Sequence, residues 1–192
     1  MTVPQLREFK KLLSPDMIMM SETKNKENMM QKIKKKLGME NSYVVDAVNK
    51  AGGMALFWTD AVHIKELQHT DFTIEALIED DETRVNWRII AIYASCDRHV
   101  RKQQWTIVTE RKRLWGEKVM IIGDFNDIRC KEEKWGGRNR EEWIYRDFRE
   151  FINRNNLVDI GFEGVPWTWR NSWDEDVEIK ERLNRGLCSP EW

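Results

Sequence analysis

Hydrophobic and polar positions along this 192-residue chain follow two different periods. Near the start, apolar residues three or four positions apart predict a helix over about 4–13 and a second helix that ends at Gly38. A continuous apolar run, Met17-Ile18-Met19-Met20, lies between them and is typical of a short buried strand. The pattern therefore predicts helix, strand and helix in the first part of the chain.

After Gly38 the period changes to two, as expected for strands with one buried face. Segments rich in Val, Ile and aromatic residues predict strands near 42–48, 53–58, 62–68, 72–79 and 85–93. The later part predicts a helix near 98–114, a strand at 119–122, a charged loop to about 139, a helix with Trp143 and Phe148, and a segment over 179–187. This mixture indicates layered sheets covered by helices, in a single domain over 1–192.

Composition restricts the class of protein. With 41% hydrophobic and 34% charged residues, the chain is typical of soluble globular proteins, and its 10 tryptophans are expected mainly in the core or in the sheets. The formal net charge is −1, so any contact with nucleic acid has to come from a local patch. Three scattered cysteines argue against a disulfide framework or a structural zinc site. The absence of an apolar run of membrane-spanning length and of a secretory signal leads us to expect an intracellular protein.

Two carboxylates follow predicted buried strands, Glu22 after Met17–Met20 and Asp124 after Val119–Ile122. Strand ends are positions where a rigid scaffold presents functional groups, and magnesium in proteins typically takes one or two carboxylates plus water. Asn126 lies two residues beyond Asp124 and has an amide that can donate to a phosphate oxygen. Taken alone, each acid is more simply interpreted as a turn or capping residue.

Several short motifs, in the same order along the chain, resemble one protein superfamily. Ser21-Glu22-Thr23-Lys24 and Gly123-Asp124-Phe125-Asn126 resemble the "ETK" and "GDFN" signatures of the endonuclease/exonuclease/phosphatase superfamily, which shares its fold with DNase I, and Tyr93 falls at its active-site tyrosine. Further stretches resemble the plant LINE-type retrotransposon endonucleases: residues 52–58 ("GGLALLW"), 133–138 ("EKxGG"), 157–162 with 167–169 ("LVDLGF" and "FTW"), and 181–185 ("ERLDR").

The resemblance implies a fold, an activity and roles for particular residues. The implied fold is an α/β, four-layer sandwich of two mainly antiparallel sheets flanked by helices. The implied activity is Mg²⁺-dependent hydrolysis of DNA phosphodiesters, with Mn²⁺ as an alternative cation. Glu22 would bind the metal, Asp124 would orient or deprotonate the attacking water, and Asn126 and Tyr93 would contact the phosphate. Trp169, and Arg138 in the charged loop, are candidate DNA-binding residues.

Three departures from the family lead us to expect a domain truncated at both ends and impaired in catalysis. The family has a preceding strand with an active-site asparagine and a terminal Ser-Asp-His strand, neither of which we find within the 192 residues. The aspartate of "RLDR" is replaced by Asn184. The alternative to a nuclease is therefore a non-catalytic remnant or a fragment that binds nucleic acid.

A phosphatase of the same superfamily is disfavoured, because the sequence near Asn184 lacks the "WCDR" pattern of the inositol-phosphate branch. The expected partner is DNA, in the nucleus, with no membrane and no organic cofactor. A basic loop could supply the local patch for DNA, since Arg129, Lys131, Lys134, Arg138 and Arg140 are interleaved there with Trp135. Glutamates in the same loop make a solvated mixed surface the competing interpretation.

Overall fold

The computed structural model describes residues 2–48, 52–80, 82–138, 140–171 and 178–192. Contacts divide the chain into two compact units, Met1–Ala91 and Ile92–Trp192, and each is described by itself. The boundary falls within one strand, so the chain passes from the first unit to the second without a linker. The single domain expected over residues 1–192 stays a prediction.

The first unit contains two helices and six strands. They are α1 (Val3–Leu13), β1 (Met17–Ser21), α2 (Glu27–Leu37), β2 (Asn41–Val45), β3 (Met54–Trp58), β4 (His63–His69), β5 (Thr73–Glu79) and β6 (Asn86–Tyr93), whose last two residues belong to the second unit. The predicted helices and strands of this region are therefore confirmed, with ends shifted by a few residues. The left-handed conformation of Gly38 ends α2 as predicted.

Two sets of strands form the centre of the first unit. An antiparallel sheet has the order β1-β3-β2, and β4, β5 and β6 are neighbours in that order. Strand β3 packs against β5, which buries apolar side chains between the two sets. Helix α2 closes one side through Met30 and Leu37, which join a core cluster with Ile18 and Phe57. This arrangement is a layered sandwich, as the sequence predicts.

Helix α1 departs from its sequence prediction. Only Leu6 of its apolar residues packs against the core cluster. Phe9 and Leu13, which follow Leu6 at helical spacing, are 49% and 66% exposed. The periodicity was read correctly as a helix, but it does not mark a fully buried face.

The described residues of the second unit form two α-helices and six strands besides the end of β6. They are α3 (Arg98–Lys112), β7 (Val119–Asp124), β8 (Lys134–Trp135), α4 (Arg146–Arg154), β9 (Val158–Asp159), β10 (Trp169–Arg170), β11 (Lys180–Glu181) and β12 (Asn184–Cys188). Strand β12 lies between β7 and β9, antiparallel to both. A small antiparallel sheet has the order β10-β11-β8.

Aromatic rings form the core of the second unit. Trp105 of α3 stacks on Phe151 of α4 with ring centroids 4.7 Å apart, and Phe148 lies 5.4 Å from Trp105. Phe125, which directly follows β7, packs against the same rings and is fully buried. Burial of four aromatic side chains fixes α3 and α4 beside the end of β7.

Three expectations for the second unit are wrong in detail. The charged loop contains a strand, β8, because its backbone pairs with β11. Trp143 lies in a 3₁₀ turn before α4 and is 47% exposed. The segment over 179–187 is split into β11 and β12, which belong to different sheets.

Six of the described tryptophans lie in a strand or in the core, as the sequence predicts: Trp58, Trp87, Trp105, Trp115, Trp135 and Trp169. Among the described tryptophans only Trp105 and Trp115 are buried, and Trp173 lies outside the described residues. Within the described ranges, no helix combines the length and the apolarity that crossing a membrane requires.

Candidate active site

Glu22 directly follows β1, at a sharp turn of the backbone. Both Glu22 and Lys24 adopt left-handed conformations, with φ of 51° and 53°. The backbone amides of Thr23 and Lys24 donate to the carbonyl oxygens of Gly53 and Gly52, at 3.1 and 3.0 Å. These bonds extend the pairing of β1 with β3 past the strand ends. The segment 21–24 and the glycine pair at 52–53 are therefore bonded to each other, and together they form the turn that exposes Glu22.

The closeness of the two backbones explains the glycine at position 53. A Cβ there would lie 2.5 Å from the Thr23 hydroxyl oxygen and 3.1 Å from the Ala47 backbone nitrogen, and φ is +84°. The Thr23 hydroxyl is buried and has no hydrogen-bond partner among the described residues. Only a residue without a side chain fits this position.

The Glu22 carboxylate is accessible to a ligand. It forms an ion pair with Lys24, 3.1 Å between Nζ and Oε1, and the two side chains are more than half exposed, at 53% and 58%. Exposed pairs of this kind contribute little energy, so a divalent cation can compete with the lysine. Glu22 also borders a cavity of about 630 Å³ whose apolar lining includes Leu6, Met20 and Ile33.

In the second unit, Asp124 ends β7 and Asn126 follows two residues later, so that the two residues flank the buried Phe125. Asn126 is left-handed, with φ of 49°. Its backbone amide donates to Asp124 Oδ1 at 2.8 Å, which closes a local turn. The anchored Phe125 ring thus holds a carboxylate and an amide in fixed positions at the strand end.

Hydrogen bonds tie this turn to the residue after Tyr93. Asn126 Nδ2 donates to the Ala94 carbonyl at 2.7 Å, and the Ala94 amide donates to the Asp124 carbonyl at 2.8 Å. The Asn126 amide nitrogen carries a second hydrogen that can donate to a bound oxygen. Asp124 and Asn126 are therefore bonded to the backbone directly after Tyr93.

A buried ion pair that the sequence analysis missed stabilises the segment directly after this turn. Arg101 of α3 donates from Nε to Asp127 Oδ2 at 3.0 Å, and from Nη1 to the Ser95 and Cys96 carbonyls at 2.8 and 3.0 Å. Burial raises the pKa of Asp127, and the neighbouring Arg101 opposes that shift. The sequence offered one indication of this pair, because a second aspartate, Asp127, directly follows Gly123-Asp124-Phe125-Asn126.

Asn184 lies directly opposite Asp124 in the ladder between β7 and β12. Directly opposite residues share a face of the sheet, with Cβ atoms about 5 Å apart. The backbone amides of Leu183 and Asn184 both donate to the Thr168 hydroxyl, each at 2.9 Å. Asn184, which replaces the aspartate of the family motif, therefore lies beside the candidate catalytic carboxylate of Asp124. Thr168, the residue before Trp169, bonds to the Asn184 backbone.

Most of the charge of the predicted basic loop is neutralised within the protein. Arg129 pairs with Glu133 at 3.0 Å, and Lys134 and Arg140 pair with Glu181 at 3.3 and 2.7 Å. Glu133 and Glu181 are buried, so the charged groups of these three cations are directed toward the protein interior and their charge is compensated there. These pairs fit a mixed surface, the competing interpretation of the loop, better than a strongly basic patch.

The remaining members of the loop point to solvent. Arg138 is exposed, Trp135 is 60% exposed, and Lys131 lies 3.9 Å from Glu132. Trp169 is 44% exposed. Roles for Arg138 and Trp169 in substrate binding stay predictions.

The other family-like motifs meet in a buried ionic cluster, which we define as Glu133, Asp159, Arg182 and Arg185. Arg185 donates to both oxygens of Glu133, at 2.9 and 2.7 Å, and to Asp159 at 3.1 Å. Arg182 donates to Asp159 at 2.8 Å. The motifs containing these residues are therefore structural in this protein.

The cluster shifts the protonation of its acids. Burial acts to raise the pKa of Glu133, but the hydrogen bond and charge of Arg185 outweigh it and lower the pKa. Burial likewise acts to raise the pKa of Asp159, and the hydrogen bond from Arg182 helps to lower it. Both carboxylates are thus charged in the folded protein well below neutral pH.

The described residues contain no group of three or more His, Cys, Asp and Glu side chains that converge on one point. This excludes, for those residues, a zinc-like site made only from protein ligands. It is compatible with magnesium, which keeps most of its water and needs only one or two carboxylates. Glu22 and Asp124, each at a strand end, are donors of the required type.

Neither a protein-family model nor a curated protein sequence matches this chain. Solved structures do. The AP endonuclease LMAP from Leishmania major superposes with a TM-score of 0.74 at 14% identity, over 96% of this chain and 73% of that one. An endonuclease/exonuclease/phosphatase family protein from Bacteroides thetaiotaomicron gives 0.68 at 14% identity, over 98% and 74%.

The endonuclease domain of TRAS1, a telomere-specific non-LTR retrotransposon, superposes with a TM-score of 0.71 at 12% identity, over 98% of this chain and 80% of that one. Because the sequence identities are this low, the superpositions establish the fold of this chain and leave its activity open. The similarity confirms the α/β fold class predicted from the sequence. This chain therefore has the DNase I-like fold of the endonuclease/exonuclease/phosphatase structures.

Proposed function

We propose that this chain is a Mg²⁺-dependent endonuclease domain that hydrolyses DNA phosphodiesters and derives from a LINE-type retrotransposon. The observation that carries the proposal is the turn in which Asp124 and Asn126 are bonded to the backbone beside Tyr93. A carboxylate, an amide and a phenol on one rigid scaffold are the groups that phosphodiester hydrolysis needs. A DNA substrate places the activity in the nucleus.

Each residue has a separate task in this proposal. Glu22 would hold Mg²⁺, or Mn²⁺, which when bound neutralises charge that develops on the phosphate. Asp124 accepts a proton from the attacking water and orients it. Asn126 and Tyr93 donate hydrogen bonds to phosphate oxygens, and the bond to Ala94 keeps the Asn126 amide in place.

Two observations support the LINE origin. The motifs in residues 52–58, 133–138, 157–169 and 181–185 resemble the plant LINE-type endonucleases, and a retrotransposon endonuclease is among the similar structures. The glycine pair and the ionic cluster give several of these motif residues defined structural roles.

We also propose that the activity is reduced. Asn184 puts an amide opposite Asp124, where LINE-type relatives have a carboxylate. One negative charge fewer at this position weakens the attraction for a cation or a protonated group. A non-catalytic, DNA-binding remnant is therefore the second candidate function.

Nicking of supercoiled plasmid in 10 mM Mg²⁺, about a typical assay concentration, tests the proposal. We expect the parent chain to nick, and Glu22→Ala and Asp124→Ala to lose about 100-fold or more in rate. The matched controls Glu8→Ala and Glu117→Ala remove exposed carboxylates elsewhere and should nick like the parent. EDTA should abolish nicking.

Equal background nicking by the parent and both variants would refute the nuclease. DNA binding without nicking would favour the remnant. Faster nicking by Asn184→Asp than by the parent would support reduced activity, and an unchanged rate would contradict it.

A further inference from the structure

The ends of α1 and α2 form a cationic cleft, which we define as Arg7, Lys10, Lys11, Lys35 and Lys36 together with Ser14, Leu37 and Gly38. Its volume is about 450 Å³. Five of its eight lining residues are basic, and none of the lining residues is acidic. In a chain with a net charge of −1, this is a strong local concentration of positive charge.

The cleft has a defined framework. Lys10 Nζ donates to the Gly38 carbonyl at 2.8 Å and so joins the end of α2 to α1. The left-handed residues Ser14 and Gly38 end the two helices at this point. Because Lys10 has this internal role, the other four cations are available to an external ligand.

Basic residues in the last turn of a helix also interact favourably with the helix dipole, which is the competing structural explanation. That explanation accounts for lysines at each helix end separately. It does not account for the meeting of the two ends in one cleft without a carboxylate. Arg7, Lys11, Lys35 and Lys36 are all exposed, so their charges face the solvent.

The lining indicates what kind of ligand fits. Pockets for small organic molecules are lined mainly by apolar side chains, whereas Leu37 is the apolar member here. Separate ammonium and guanidinium groups on two helices match a ligand with several phosphates in a row. The basic loop at 129–140, the sequence-predicted candidate, pairs most of its cations with the buried carboxylates of Glu133 and Glu181.

We propose that this cationic cleft binds the phosphodiester backbone of DNA. The proposal takes from the proposed function only that the partner is DNA, and it does not require cleavage. Phosphate contacts of this type carry no sequence information, so binding should be independent of base sequence and strongly dependent on salt.

The test compares two variants that each lose three positive charges. The cleft variant is Lys11→Gln, Lys35→Gln and Lys36→Gln, which keeps Lys10 and uses a good helix former. The control variant changes exposed cations outside the cleft, Lys32, Arg113 and Lys118, to glutamine. Circular dichroism checks that both variants are folded.

Fluorescence anisotropy with a labelled 20-base-pair duplex, about the length used for such assays, is measured in EDTA over a range of NaCl concentrations. We expect the cleft variant to bind about tenfold or more weakly at low salt, with a slope of log affinity against log salt smaller by about two to three. The control variant should retain most of the affinity and slope of the parent.

Several results would overturn the proposal. These are no duplex binding by the parent, equal losses in both variants, or binding only to phosphatidylserine vesicles. Nicking assays separate this result from the proposed function. Loss of nicking in Glu22→Ala with cleft-dependent binding intact would concern catalysis alone, whereas nicking by a parent whose binding ignores the cleft mutations would reject the cleft alone.

Discussion

At the scale of single residues, the most informative position is Gly53. Its missing side chain allows the turn after β1 to approach β3, and the backbone bonds between the two fix the conformation of Glu22. A glycine thus determines where a candidate metal ligand is presented. The contact is local in space, although 30 residues separate Gly53 from Thr23.

Gly53→Ala should destabilise the protein by about 2–4 kcal/mol, because left-handed strain and a steric clash add. Gly52→Ala is the matched control, since φ there is +66° and a Cβ meets no described atom within 4 Å. The control should lose only about 1–2 kcal/mol. Urea denaturation of both variants measures the difference, and equal losses would contradict the proposed close approach.

Glu133→Gln should destabilise the protein by about 3 kcal/mol, because it removes a buried partner of Arg182 and Arg185. Glu132→Gln changes the adjacent exposed residue in the same way and should unfold at nearly the same denaturant concentration as the parent. Chemical denaturation is again the measurement. A loss below 1 kcal/mol for Glu133→Gln, about the size of a surface effect, would argue against the cluster.

At the scale of elements, the buried ionic cluster connects short strands that have little pairing of their own. Strands β8, β9 and β11 have two residues each, too few for a stable ladder. Side chains at or next to these strands and β12 are joined by the bonds between Glu133, Asp159, Arg182 and Arg185. Electrostatic contacts here replace the backbone pairing that longer strands would supply.

The cluster predicts that stability decreases at low pH. The pKa values of Glu133 and Asp159 are lowered in the folded protein, so their contribution is complete above the unfolded values and is lost as the pH falls through the folded ones. The unfolded values are about 4.3 and 3.9, so the loss should begin below about pH 4.5. The raised pKa of Asp127 acts in the opposite direction.

Urea midpoints between pH 7 and pH 3, about the range over which carboxylates titrate, test this expectation. Glu133→Gln should show a weaker dependence on pH than the parent, because one of the responsible acids is absent. A parent whose midpoint is constant over the range, or a variant with the same dependence, would contradict the assignment.

At the scale of the whole molecule, a bound cation should stabilise the folded chain. If Glu22 holds Mg²⁺ with a dissociation constant near 1 mM, 10 mM Mg²⁺ contributes about 1.4 kcal/mol, which raises Tm by about 3–5 °C. Glu22→Ala should lose this shift, and Glu8→Ala should keep it. Thermal unfolding with sodium chloride at matched ionic strength provides the measurement. An equal shift in all three chains would place the cation elsewhere.

The elements and the positions of Glu22, Asp124 and Asn126 at strand ends were predictable from the sequence, because hydrophobic period and turn residues act over a few neighbours. The left-handed turn of Asn126 is a local property of the same segment, whereas the rings of Trp105 and Phe148 bury Phe125. The sequence analysis did not predict the Arg101–Asp127 pair, the exposure of Phe9 or the division of the segment over 179–187 into two strands. Each depends on partners that are distant in sequence.

Sequence by itself determined the period of each element, the conformational freedom of the glycines and the kinds of side chain at each strand end. Only the tertiary structure decided which charges are neutralised. Glu181 is 47 residues from Lys134 and 41 residues from Arg140, yet it accepts hydrogen bonds from both, and these pairs neutralise charge of the predicted basic loop. Charges at the ends of α1 and α2 meet in a cleft with no acid among its lining residues. Electrostatic interactions depend on distance in space, which the order of residues along a chain does not specify.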